Sequence, residues 1–311
     1  MMQIYVLGAL SIMVDGRRLK APKKAQALLA YLALQAGMIV TRQRLAELLW
    51  PCQDSEAARH SLRNCLLELR KALGPDAAAT LESDFHVVRL VNPSTDVERF
   101  TNLASSHLLA DLEIAGRLYR GELLEDLEIA SESWDEWLAG ERRRLHDIAA
   151  LVLYRLSRVA GAAGRHGDAI GAARRLLGLE PYSEAAHRRM MQALVAADRR
   201  GDAILYFRQC EAFLRRELGV GPGVKTRNLL REIQASEILA DPPGADYAAV
   251  AAATAVAEIA SLRATLAAEI ARNAEMTRAL EKLHDILREL TAPPMGAGGN
   301  GRAPALMELA A

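Results

Sequence analysis

Aromatic residues are scarce in this chain: among 311 residues there are Phe 4, Trp 3 and Tyr 7, or 5%. Ala and Leu take their place, so helices are the expected packing unit. Cysteine is rarer still. Cys52, Cys65 and Cys210 are an odd and scattered set, with no CxxC pair or Cys/His cluster at zinc-ligand spacing, so no disulfide framework or zinc site is expected. A reducing cytoplasm is the expected setting. No apolar run is long enough to cross a bilayer; Ala27–Leu34 falls well short, and no membrane partner is expected. A signal peptide is not expected either, because Met1-Met2-Gln3 has no basic start and Gly8 interrupts the first apolar stretch.

Net charge is also lacking. Lys+Arg and Asp+Glu both number 39, which excludes a chain that is basic throughout. The charge is segregated, however. Residues 1–75 hold 11 basic and 5 acidic side chains, residues 111–141 hold 2 and 10, and residues 142–235 hold 18 and 9. Faces with different partners follow from such a distribution, although a charge run also serves as a solvated surface. With 51% hydrophobic and 25% charged residues in 33.9 kDa, the chain has room for two domains and an appendage.

The first hundred residues open with short β-prone runs: Ile4–Leu7 ending at Gly8, Leu10–Val14 ending at Asp15-Gly16, and Arg17–Lys20. Asp-Gly between such runs marks a hairpin. Helical periodicity then covers Ala25–Ala36, closed by Gly37, and Arg42–Trp50, capped by Thr41 and stopped by Pro51. A third helix spans about Ser55–Leu73, closed by Gly74-Pro75. Thr80–Glu82 and His86–Val91, joined through Ser83-Asp84-Phe85, form a terminal hairpin. This order of elements predicts a winged helix-turn-helix over residues 1–95.

Helical angles at about 100° per residue divide the third helix. With Arg59 at about 0°, Ala58, Leu62, Cys65, Leu66, Leu69 and Leu73 fall between about 240° and 340°, a buried stripe. Arg70, Arg63, His60, Lys71 and Asn64 occupy about 20° to 140°, with Glu68 at the edge. A helix of this kind fits the major groove of double-stranded DNA, where Arg pairs with guanine and Asn with adenine. Arg63 and Asn64 are the expected base readers. Arg59, Arg70, Lys71, Lys23, Lys24 and Arg42 are expected to hold phosphates, with His60 and Thr41 on the same surface. Arg89 reaches a minor groove from the wing or is a strand-face charge. A basic helix face alone reads sooner as a solvated one; the winged-helix context turns the reading towards DNA.

These segments carry a resemblance. IYVLGALSIMVDGRRL, KKAQALLAYLALQAGMIVTRQRLAELLWP and ARHSLRNCLLELRKALG resemble the SARP-type bacterial regulators, which join an OmpR-like winged helix to a bacterial transcriptional activator domain. Asp96-Val97-Glu98-Arg99-Phe100 is similar to the family's join. The wing departs from the pattern, with Asp84-Phe85-His86 in place of a Gly-Tyr-containing turn. The resemblance implies promoter-repeat binding, self-association and contacts with RNA polymerase, more in keeping with an activator than a repressor. No receiver domain precedes the winged helix, so two-component phosphorylation control is not expected.

From Asp96 to Ile238 nothing reads as strand, and residues 96–240 are expected to form a TPR-like helical bundle. Gly167-Asp168-Ala169-Ile170 recurs as Gly201-Asp202-Ala203-Ile204, an offset of 34 residues and the tetratricopeptide period. Gly at the turn and Ala inside the second helix would permit close crossing. Glu217–Gly223, ELGVGPG, resembles the activator-domain ELGVEPG. Trp134 and Trp137 are expected to anchor helices rather than bind peptide. Gly219–Thr226 superficially suggests a P-loop, but Val224 stands where that loop needs Gly and a helix precedes. No HExxH, GxSxG or paired-carboxylate arrangement is present, so neither enzyme nor cofactor is expected.

Beyond Asp241-Pro242-Pro243-Gly244, residues 246–292 read as a long helix. Heptad position a holds Ile259, Leu266, Asn273, Leu280 and Leu287; position d holds Leu262, Glu269, Met276, Leu283 and Leu290. This predicts a coiled coil and a homodimer, Asn273 setting register; Ile270 and Ile286 beside the seam keep a single amphipathic helix open. Residues 293–311, rich in Gly, Pro and Ala, read as a disordered tail. The fold class expected is therefore mainly α with a small β component. A DNA-binding regulator leads, with a TPR-type scaffold whose winged helix does not bind DNA as the other reading.

Overall fold

Short strands come first along the chain. The computed structural model describes residues 2–235. In it β1 (Met2–Tyr5), β2 (Ser11–Val14) and β3 (Arg17–Arg18) make one antiparallel sheet in that order. Asp15 and Gly16 turn the β2–β3 hairpin with φ of 48° and 79°, the paired positive values that make Asp-Gly suited to this position.

Helix α1 (Lys23–Leu34) follows Pro22, whose fixed φ suits a helix start. A two-residue strand β4 (Val40–Thr41) then precedes α2 (Arg42–Leu49); Thr41 Oγ1 caps that helix by accepting from the Arg44 amide at 3.2 Å. Helix α3 (Ser55–Ala78) begins at Asp54, which accepts from the amides of Glu56 and Ala57 at 3.0 and 2.8 Å. Its regular path ends at the expected stop. Gly74, at φ 76°, breaks the regular path, but the chain resumes a helical turn from Pro75. Strands β5 (Leu81–Ser83) and β6 (Val87–Leu90) form the wing, in a sheet ordered β4-β6-β5.

Seven helices complete the described residues: α4 (Asp96–Ala104), α5 (Leu109–Leu118), α6 (Glu132–Ala162), α7 (His166–Leu179), α8 (Glu184–Ala196), α9 (Arg200–Leu218) and α10 (Val224–Ala235). The fold is thus mainly α with a small β component. One continuous core includes Ile4, Leu28, Leu45, Leu62, Phe100, Trp134 and Ala149, crossing from the winged helix into α6. Tyr31 of α1 meets Trp137 edge-on with centroids 4.8 Å apart, and Trp137 lies 4.9 Å from fully buried Trp134. The two tryptophans are packing anchors.

Polar contacts reinforce this junction. Asp96, with its side chain 1% exposed, accepts from the Val6 and Leu7 amides at 2.9 and 3.1 Å and from Arg120 at 3.3 Å. Ser131 donates to the Leu48 carbonyl at 2.6 Å. The acidic stretch 111–141 turns partly inward: Asp126 accepts from the Leu10 amide at 2.7 Å, and Glu113 and Glu122 pair with Arg165 and Arg142.

The 34-residue repeat recurs in backbone geometry. Gly164 and Asp198 both have positive φ, 73° and 57°. One residue later, Arg165 donates its amide to Ala160 at 2.8 Å and Arg199 donates to Leu194 at 2.9 Å. Both arginines then pair with the aspartate three residues on, at 2.7 and 2.6 Å. Ala169 and Ala203 are fully buried. Gly167 and Gly201, by contrast, face open space where a Cβ would sit; the buried alanines, not these glycines, permit the close packing.

The expected coiled coil of residues 246–292, including Ile259, Leu262, Leu266, Asn273, Met276, Leu280, Leu283 and Leu287, lies outside the described residues, as does the 293–311 tail. Among the described residues no helix is long and apolar enough to cross a membrane.

Candidate nucleic-acid interface

The buried side of α3 is the stripe read from its periodicity: Ala58, Leu62, Cys65, Leu66, Leu69 and Leu73 all lie in the core. Burial pushes the Cys65 thiol up to about 12, so it remains protonated and behaves as a small apolar group. The opposite side exposes Arg59, His60, Arg63, Asn64, Leu67, Glu68 and Lys71. Among the described residues Arg59, Arg63 and Lys71 engage in no hydrogen bond or ion pair. His60 and Asn64, one turn apart, approach to 3.0 Å between Nε2 and Nδ2. Leu67, 49% exposed, sits at about 80° on the helical wheel, between Arg63 and His60.

A groove of about 1010 Å³ separates this helix from the wing. It is lined by Thr41, Arg42, Arg59, Arg63, Asp84, Phe85 and their neighbours. Burial, then the nearby guanidiniums of Arg63 and Arg70, lowers the pKa of Arg42 despite Asp84. Arg42 and Arg63 therefore bring like charges together at the groove, where an anion would relieve their repulsion.

Several basic residues singled out from sequence have internal partners. Arg70 donates to the Leu81 carbonyl at 3.1 Å and to Ser83 Oγ at 2.8 Å, tying α3 to the wing. Arg42 Nε donates to the Asp84 carbonyl at 2.8 Å. Lys24 caps α2 through the Leu49 carbonyl at 2.7 Å and lies 4.8 Å over the Trp50 ring; burial lowers its pKa. Arg89 pairs with Glu82 across the wing at 2.7 Å. Lys23 is exposed at the start of α1. The structure thus gathers Arg59, His60, Arg63, Asn64 and Lys71 on one open face with Arg42 and Thr41 across the groove, while Lys24, Arg70 and Arg89 brace the fold around it.

Two residues of this surface were not singled out from sequence as contacts. Leu67 falls in the middle of the polar arc, and its angle alone could have shown it. Phe85 is 94% exposed at the wing tip; its signal was the departure from the usual wing turn.

The loop that superficially suggested a P-loop is occupied by its own protein. Gly219 is the left-handed cap of α9, at φ 71°. Glu184 accepts from the Gly223 amide at 2.9 Å and from the buried Thr226 hydroxyl. A carboxylate therefore sits at the first turn of α10, where the helix dipole favours an anion.

Family models match in the same order as the structural units. The model described as "Transcriptional regulatory protein, C terminal" matches residues 16–89, and "Bacterial transcriptional activator domain" matches residues 95–234. The regulatory protein AfsR of Streptomyces coelicolor is 30% identical over 98% of this chain, which spans 30% of the length of AfsR. The transcriptional regulatory protein MoaR1 of Mycobacterium tuberculosis is 27% identical, over 74% of this chain and 78% of MoaR1. A solved structure of Mycobacterium tuberculosis EmbR, in complex with a low-affinity phosphopeptide, superposes with a TM-score of 0.63 at 25% identity, covering 84% of this chain and 71% of that one. The chain belongs to the SARP-type family of bacterial regulators, with an OmpR-like winged helix followed by a bacterial transcriptional activator domain. The relatives it resembles are named as regulators of transcription.

Proposed function

We propose that the chain is a sequence-specific activator that lays α3 in the major groove of promoter repeats. The carrying observation is the open face of α3, where Arg59, Arg63 and Lys71 have no internal partners beside a groove edged by Arg42. Arg63 and Asn64 read base edges; Arg59, Lys71 and Arg42 hold phosphates, which position without specifying. Lys23 adds a phosphate contact from α1. Arg70, Lys24 and Arg89 support the surface through the contacts they already make. The TPR-like array, which offers extended surfaces for protein segments, supplies self-association and contacts with RNA polymerase, and the region 246–292 supplies homodimerisation.

Binding to promoter fragments across a salt series tests this reading. Counterion release makes affinity fall steeply as salt rises. Arg63→Ala is expected to cost about 1–3 kcal/mol on the preferred site and to relax its specificity. Lys71→Ala weakens all sequences alike and reduces the salt slope by about 1. Parent-like DNA binding by both variants removes the assignment of α3; no binding to any promoter fragment leaves the scaffold reading. Truncation at Asp241 lowers the mass seen by light scattering if the extension dimerises, and leaves it unchanged if it does not.

A further inference from the structure

Phe85 is held out in solvent by a turn that is itself firmly braced. Asp84 Oδ1 accepts from the amides of His86 and Val87 at 2.7 and 2.8 Å, and the Asp84 amide donates to the Val87 carbonyl at 3.0 Å. Arg42 grips both sides of the tip, its Nε donating to the Asp84 carbonyl at 2.8 Å and its amide to the His86 carbonyl at 2.8 Å. A mobile loop would let the ring fold back onto apolar surface. This one keeps it 94% exposed. A single exposed apolar side chain is common on a protein surface; what sets this one apart is the braced turn that holds it at the edge of a cationic groove.

The surroundings say what covers it. Phe85 edges the same groove as Arg42, Arg59 and Arg63, so its occupant carries negative charge next to an apolar face. Duplex DNA has both: phosphates for the guanidiniums, and sugar edges and base faces for the ring. Resting on the reading that α3 binds DNA, we propose that Phe85 is a wedge which enters the minor groove flanking the α3 contact and partly unstacks one base step. Apolar side chains inserted in this way kink the duplex toward the major groove, and the distortion is easiest at pyrimidine–purine steps. The wing then adds a preference for deformable flanking sequence to the base contacts of α3.

The test uses the full chain and a duplex selected by the parent protein from a random pool. The duplex carries 2-aminopurine at successive flanking positions in one set and donor and acceptor dyes at its ends in another. The parent is expected to brighten 2-aminopurine at one flanking step and to bring the dyes closer. Phe85→Ala keeps the α3 sequence preference but binds about ten-fold more weakly and loses both signals; Phe85→Leu, still apolar, retains part of each. Replacing the flanking step by a stiff A-tract weakens the parent and leaves Phe85→Ala unaffected. The exposed ring makes no packing contribution that would unfold the variant, and circular dichroism verifies that. Equal bending and unstacking by parent and Phe85→Ala, or a parent complex with neither signal, overturns the wedge while leaving α3 recognition standing. Failure of the parent to select any duplex overturns the DNA reading itself.

Discussion

Replacing Asp96 by alanine tests whether the winged helix and the helical array form one cooperative body. The carboxylate is almost wholly buried and satisfies two amides of the first strand region, Val6 and Leu7, as well as Arg120. Removing it leaves two buried N–H groups without acceptors, each costing about 1–3 kcal/mol. Relief from burying a charge offsets part of this; burial is the largest influence on the group and raises its pKa. A net loss of about 3 kcal/mol is expected. For a body of this size, that corresponds to a fall of about 6–12 °C in the unfolding midpoint. Circular dichroism at 222 nm would follow the helices, and Trp fluorescence would follow the junction around Trp134 and Trp137. Both are expected to shift together, because the core runs unbroken across the junction. A variant whose midpoint stays within about 1 °C of the parent, or whose two signals separate, refutes the reasoning.

Other perturbations follow from the same geometry. Arg70→Ala should lower both stability and DNA affinity, since it untethers the wing from α3; loss of affinity with an unchanged thermal midpoint would make Arg70 a DNA contact alone. Ala203→Leu should destabilise by about 1–3 kcal/mol through overpacking, as should Ala169→Leu at the equivalent place in the repeat, both measurable by urea titration. Burial lowers the pKa of His187, whose ring nitrogens face Tyr206 OH at 2.7 Å and the Pro181 carbonyl at 2.9 Å. The unfolded chain therefore takes up a proton more readily than the folded one, and stability from this group is lost as pH falls below about 6.5. His187→Gln should flatten that acid-side slope, and an unaltered slope would discount the residue.

Periodicity made much of this molecule legible. The buried stripe of α3 follows from angles alone, because a long amphipathic helix can bury only its apolar side. The Asp15-Gly16 hairpin and the 34-residue repeat were equally plain, since each depends on local chemistry. Strand β4 was not, because two residues carry no alternation and pairing with β6 supplies its order. The partners of Arg70, Lys24 and Arg89 were also hidden: a helical wheel gives the direction of a Cβ, not the carbonyl or carboxylate waiting there. Gly74-Pro75 was legible too: Gly74, at φ 76° and ψ 170°, ends the regular path of α3, and a short further turn follows from Pro75. Glu184 filling the first turn of α10 joins segments 39 residues apart, a distance no motif scan spans.

The unbroken core between α2 and α6 gives the protein an azimuth. On the function proposed above, a duplex seated on α3 would meet the helical array from one compass direction, so a polymerase subunit docked on that array would be presented at a set rotation about the DNA axis. Inserting about five base pairs, half a turn of B-DNA, between operator and promoter would swing the array to the far side of the duplex, whereas about ten would bring it round again.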